Sequence, residues 1–215
     1  PLRGLKGVAG TLAPQVAPIA PVAVVARGLA CAAGIGLAAL QTALERGQSA
    51  LQANHFSTTP LPTHIGRIAA LDDLRLPAHL AAWDCRATRA AWLGLQADGF
   101  GAAAQAAIQR HGATRVGLVL GTSASTIGAS ELAYRSLAPD GGFPADLRSE
   151  TLNTLHAVTA FVQQALGVQG PCVTVSTACS SSAKAFAQAE RWLRLELVDA
   201  VVVGGVDVLC ESVLF

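Results

Sequence analysis

Residues 173–186 read VTVSTACSSSAKAF and place one cysteine, Cys179, in a small-residue turn between a β-branched stretch and a helical one. A strand that turns sharply into a helix points such a thiol along the helix axis. The first backbone N–H groups of a helix have no partner inside it. The positive end of the helix dipole stabilises a thiolate there. The same N–H groups can hold the oxyanion that forms when a thiolate attacks a carbonyl. Nucleophilic catalysis by Cys179 is the chemistry this spacing predicts.

Other candidates carry less. Cys31, Cys85, Cys172 and Cys210 lie singly, without the strand–turn–helix setting, and are read as structural thiols. No two cysteines are spaced C-x-x-C and their number is odd, which argues against a zinc site or a disulfide framework and for a reducing compartment. GIGLAA (Gly34–Ala39) resembles a dinucleotide fingerprint, but GLACAA separates it from the preceding strand and no acidic residue stands near Phe56. Its glycines are read as helix-packing residues. GTSAS (Gly121–Ser125) lacks the second glycine of a nucleophile elbow and is read as a small-residue loop bordering a pocket. The five histidines show no metal-binding spacing, and His156 is read as a structural or surface histidine.

The elements that must position Cys179 follow from periodicity. PVAVVARG (Pro21–Gly28) is expected as a strand, and Leu37, Leu40 and Leu44 as one face of a helix with Gly47 at its end. Residues 49–82 are irregular, with a single strand expected over His64–Ala69. Helix is expected from Trp83 to Arg110, broken near Gly99. Thr114–Gly121, Pro171–Ser176 and Asp199–Gly205 are continuous apolar strands. A loop over Ala138–Pro144 precedes a helix whose face is Leu155, Val158, Val162 and Leu166, closed by Gly167. The helix after Cys179 carries Phe186, Ala189, Leu193 and Leu197 on one face and Lys184, Gln188 and Arg191 on another. Such alternation predicts an α/β fold with a mainly parallel sheet covered on both faces.

Composition bounds the setting. Of 215 residues 52% are hydrophobic and 13% charged, so strands buried on both faces, or a subunit interface, are expected. A net charge of +1 without a basic block or interleaved aromatics gives no support to nucleic acid or an anionic membrane as partners, and neither is expected. Pro14, Pro18 and Pro21 break any signal-peptide apolar region, and Val22–Leu44 carries Arg27 and glycines that argue against a membrane span. A cytoplasmic protein is expected.

With Cys179 in place, VSTACSSSAKA followed by DAVVVGGVD resembles the active-site region of the β-ketoacyl-(acyl-carrier-protein) synthases of fatty acid and polyketide synthesis. LGVQGPCVTVSTACSSS is similar to the segment leading into that family's nucleophile, and TRVGLVLGTS to its second buried strand and pocket loop. VAVVARGLACAAGIGLAALQTALERGQSAL is similar to its opening strand and helix. The likeness runs from about Pro21 to Phe215 and is thinnest over residues 49–112.

The resemblance implies a thiolase-like fold, of which this chain is the N-terminal half of a five-layer α-β-α-β-α sandwich. A Pro-rich lead over residues 1–20 precedes the ketosynthase N-terminal domain over 21–215. It also implies decarboxylative Claisen condensation. Cys179 takes an acyl group from an acyl carrier protein, and the carbanion equivalent left when malonyl-carrier protein loses CO₂ attacks that thioester. The Cys179 N–H supplies one oxyanion donor. No metal or redox cofactor is implied, since the phosphopantetheine arm arrives on the carrier protein. A homodimer, or a heterodimer with a related subunit, is the expected assembly. The family's two histidines and its lysine come from a C-terminal half, which is expected beyond Phe215, so these residues alone are expected to be inactive. Ala124 matches a position where the family often gates its acyl tunnel with a larger side chain. Three rival readings are a thiolase-like thioester enzyme, a non-catalytic chain-length-factor-like subunit, and a dinucleotide-binding domain. Cys179 argues against the second, because such subunits have the nucleophile replaced.

Overall fold

The computed structural model describes residues 20–69, 71–143 and 152–215. Its centre is a three-stranded parallel sheet of β5 (Val116–Gly121), β6 (Cys172–Val175) and β7 (Ala200–Gly205), with β5 in the middle. Leu118 pairs with Cys172 on one side and with Val202 on the other. All six residues of β5 are buried, as a continuous apolar run with no polar alternation requires.

Side chains of β5 alternate between two helical layers. Val116, Leu118 and Leu120 join Val202 in a core with three helices. These are α2 (Arg86–Gln96), α3 (Phe100–His111) and the helix Ala157–Leu166, here α5 after α4 (Ile127–Arg135). Phe161 and Leu118 are fully buried there, and burying a side chain of that size stabilises by about 1.5–3 kcal/mol. Val119 faces the opposite layer and meets Ala185 and Trp192 of α6 (Ser181–Arg194). Gly117 lies on that face too. A Cβ there would stand 3.0 Å from the Trp192 ring, so the strand carries no side chain where the indole seats. Helices therefore cover both faces of the sheet.

At its amino end the β5–β7 pair is clamped by Arg115. Its guanidinium donates to both carboxylate oxygens of Asp199 at 2.8 Å and to the carbonyls of Glu196 and Leu197. The side-chain bond to Arg115 holds the Asp199 carboxyl below its ordinary range.

Several expectations need correction. No strand forms over Pro21–Gly28. Val22, Val24 and Val25 are exposed, and among the described residues no strand pairs with the segment. β-Branched residues favour a strand only where a neighbour completes the ladder and packs the face. Of the Gly34–Ala39 glycines, Gly34 does pack a helix, since a Cβ there would lie 2.7 Å from the Ala39 Cβ of the helix that follows, whereas Gly36 has another role. Gly34 sits in a short antiparallel hairpin of β1 (Ala30–Cys31) and β2 (Gly34–Ile35), and Gly36, at φ 91°, is the N-cap of α1 (Leu37–Glu45). Asp98, from the break between α2 and α3, accepts the Leu37 N–H in place of a local cap. The strand expected over His64–Ala69 spans His64–Gly66 (β4) and pairs antiparallel with the unforeseen β3 (Leu51–Ala53).

The expected face of α6 is also rotated. Ser181, Ala185, Ala189 and Trp192 form the buried stripe, whereas Phe186 and Leu197 are half exposed and Leu197 lies beyond the helix. Small residues face the sheet because the helix lies close upon it. Two expected helical faces are only partly realised: Leu155 precedes α5 and is half exposed, and Leu44 of α1 is exposed. The α2–α3 break at Gly99, the αL cap at Gly167 and the parallel strands agree with expectation. The lead over residues 1–19 and the end of the Ala138–Pro144 loop lie outside the described residues.

Candidate active site

β6 ends at Val175, and a single 3₁₀ turn over Ala178–Ser180 carries the chain into α6. Cys179 is the middle residue of that turn, two residues before the 14-residue α6 begins. It is exposed. Ala178, immediately before it, has φ 51°, a left-handed conformation that non-glycine residues adopt at a cost of about 1–3 kcal/mol. Hydrogen bonds hold this turn. The Ser181 hydroxyl donates to Ala178 O at 2.7 Å and accepts the Thr177 N–H at 2.9 Å, while the Ser180 hydroxyl donates to Thr177 O at 2.9 Å. The serines that follow Cys179 are thus the fastening of its turn.

The helix can reach the sheet because two glycines face it. A Cβ on Gly121 would lie 2.8 Å from Ser182 N and 2.9 Å from the Ser181 carbonyl carbon. A Cβ on Gly205 would lie 2.8 Å from the Ser182 hydroxyl. These glycines end β5 and β7, so the amino end of α6 sits directly over the carboxyl ends of both strands. Beside it runs the loop Thr122–Ser125, where Thr122 N–H donates to Val175 O at 3.0 Å. Ala124 is buried, at 7% exposure.

The other thiols differ from Cys179. Cys31, Cys85 and Cys172 are half-buried and Cys210 is buried. Burial pushes the Cys172 thiol up from its ordinary value, and burial is also the main cause of the rise at Cys210. Both are therefore poorer sources of thiolate at neutral pH. Iodoacetamide should alkylate Cys179 first and Cys172 and Cys210 last, as peptide mass mapping against time would rank them. Early alkylation of Cys210 would contradict this order.

The histidines stand apart from the turn in their interactions. His156 precedes α5 and lies 2.8 Å through Nδ1 from the Thr174 hydroxyl, which in turn meets Thr159 at 2.6 Å. His111 lies 4.0 Å from Asp199 at the opposite, amino end of the sheet. Among the described residues no cluster of His, Cys, Asp and Glu could hold a metal ion, and no helix is long and apolar enough to cross a membrane. One residue of the site escaped the sequence reading. Asp207, two residues beyond β7, accepts the backbone N–H groups of Ser123 and Ala124. An acidic residue just after GGV was the available signal.

Comparison with known proteins gives a consistent picture. Residues 20–215 match the family model described as "Beta-ketoacyl synthase, N-terminal domain". The chain is 33% identical over 95 residues to nodulation protein E of Rhizobium meliloti, covering 44% of this chain and 24% of that protein. It is 33% identical over 105 residues to a mycocerosic acid synthase-like polyketide synthase of Mycolicibacterium smegmatis, covering 49% of this chain and 5% of that one. The fold is similar to a chain in the structure of a ketosynthase (ApeO) in complex with its chain length factor (ApeC) from Xenorhabdus doucetiae. The TM-score there is 0.68 at 25% identity, over 86% of this chain and 46% of the other. The chain thus spans about a quarter of the length of nodulation protein E and under half of that ketosynthase-complex chain.

Proposed function

The chain belongs to the β-ketoacyl synthase family, through its N-terminal domain, and its fold is thiolase-like; on that premise we propose that it carries the nucleophile of a decarboxylative condensing enzyme. The observation that supports this most is the seating of Cys179, exposed in a strained turn at the amino end of α6. In this reading the Cys179 thiolate attacks the thioester carbonyl of an acyl-carrier protein. The carrier's phosphopantetheine thiol leaves, and the acyl group rests on Sγ. The Cys179 N–H donates to the oxyanion of the tetrahedral intermediate. Loss of CO₂ from malonyl-carrier protein then leaves an enolate whose carbon attacks the acyl-enzyme, releasing 3-oxoacyl-carrier protein and the free thiolate. No cofactor beyond the carrier's own arm takes part.

Decarboxylation needs hydrogen-bond donors for the enolate oxygen. In the family these are histidines of the C-terminal half, and they are proposed to serve the whole protein here. The ketosynthase–chain length factor complex supports pairing with a related subunit, with a homodimer as the alternative assembly. A chain-length-factor role is disfavoured because Cys179 is present. Service in polyketide or fatty acid synthesis in the cytoplasm completes the proposal. The test is full-length protein given acyl- and malonyl-carrier protein, with 3-oxoacyl product read by mass spectrometry. Absence of product, with the carrier proteins shown competent for a known synthase, would overturn it.

Ala124 carries a second expectation. It is buried in the loop beside the Cys179 turn, and a small residue there leaves room for a long acyl chain. Ala124→Val and Ala124→Phe should shorten the longest acyl group accepted, in that order. An unchanged chain-length profile in a folded Ala124→Phe protein would remove Ala124 from the acyl site.

A further inference from the structure

At the carboxyl rim of the sheet, the hydrogen bonds of Asp207 converge on the loop that follows β5. Its Oδ1 accepts from the Thr122 hydroxyl at 2.8 Å, from Ser123 N–H at 2.9 Å and from Ala124 N–H at 3.0 Å. Its Oδ2 lies 3.0 Å from the same Ser123 N–H. The Thr122 hydroxyl also lies 2.9 Å from Val206 O and accepts the Ser125 N–H at 2.7 Å. Two successive N–H groups, of Ser123 and Ala124, thus converge on the Asp207 carboxylate, while the Ser125 N–H, at φ 48°, turns to the Thr122 hydroxyl. The paired N–H groups make a concavity suited to an anion, which the chain fills with its own carboxylate. Bonds to an ionised acceptor are roughly twice as strong as neutral ones.

The strand pair does not depend on this contact. Val206 N–H donates to Gly121 O at 3.1 Å, and Arg115 clamps the other end. What Asp207 holds is the loop. On its far side the same loop meets the helix of the nucleophile, where Ser181 Oγ lies 3.4 Å from Thr122 O.

We propose that Asp207 is a positioning residue for substrate specificity: its carboxylate fixes residues 122–124 against the Cys179 turn and so sets the depth of the acyl site at Ala124. The substrate consequence rests on the acyl-transfer reading, whereas the anchoring rests on geometry alone. Asp207 touches no substrate in this role and acts through the loop.

The test uses full-length protein with Asp207→Ala and Asp207→Asn, the latter keeping one acceptor oxygen. Two readouts separate the ideas: amide hydrogen exchange at Ser123 and Ala124, and loading of Cys179 from acyl-carrier proteins of graded chain length. Asp207→Ala should speed exchange of those two amides by about tenfold or more, with the β5 amides unchanged. It should alter the ratio of long- to short-chain loading by about tenfold, with iodoacetamide alkylation of Cys179 unchanged. Asp207→Asn should fall between Ala and wild type on both, and carries the test if Asp207→Ala does not fold. Unchanged exchange overturns the anchoring, and faster exchange with an unchanged chain-length ratio overturns the specificity role. If wild-type Cys179 takes no acyl group while exchange responds as expected, the acyl-transfer reading fails and the anchoring is upheld.

Discussion

Cys179→Ala should leave a folded protein that forms no covalent acyl adduct. The side chain is exposed and belongs to none of the three buried clusters, so its removal opens no cavity. Changes at such positions usually alter stability by no more than about 0.5 kcal/mol. The turn is fastened by Thr177, Ser180 and Ser181 and not by the thiol, so α6 should keep its place. Chemistry should change completely, since alanine offers no nucleophile. Intact-mass measurement after exposure to acyl-carrier protein would show the acyl increment on wild type alone, with thermal melting as the control for folding. An adduct of unchanged yield in the mutant would assign the chemistry to another residue.

Gly121→Ala should damage both stability and loading, although it adds one methyl group and lies outside the Cys179 turn. That methyl would stand 2.8 Å from Ser182 N and 2.9 Å from the Ser181 carbonyl carbon, and both are backbone atoms that cannot rotate away. The amino end of α6 must shift, or the end of β5 must. Overpacking of this kind costs about 1–3 kcal/mol. If Cys179 is the nucleophile proposed above, displacing it by about 1 Å should lower the loading rate on the order of 10²-fold. Gly94→Ala is the matched control. A Cβ at Gly94, within α2, meets nothing within 4 Å, so alanine there should stabilise by about 0.5–1 kcal/mol and leave loading intact. Wild-type melting and loading in Gly121→Ala would show that the close approach of helix and strand is not needed.

The central strands were legible as continuous apolar runs such as VGLVLG and AVVVGG, and the middle strand β5 is buried along its whole length. Helix ends were legible where a glycine must adopt a left-handed backbone, as at Gly167. The segment around Val22–Arg27 was misread for the opposite reason. Its β-branched residues carry strand preference, but that preference needs a partner, and none among the described residues stands beside it. The N-cap of α1 was hidden because its acceptor, Asp98, is 61 residues away. The face of α6 was misassigned in part, Ala189 excepted, because hydrophobicity favoured Phe186 and Leu197, whereas close packing favoured Ser181 and Ala185.

For the candidate site, local sequence was enough to place Cys179 in an exposed turn between a strand and a helix. A lone thiol among small residues between a strand and a helix states its own geometry, because chain direction and helix polarity are fixed by adjacent residues. Distance in space decided the rest. The Gly121 and Gly205 contacts that let α6 sit on the sheet join residues of three separate elements. The Asp207 carboxylate reaches a loop 83–85 residues earlier in the chain. Periodicity reports which way a side chain points along its own element, but which N–H groups gather around one carboxylate depends on the pairing of β5 with β7. That pairing exists only once the sheet has formed.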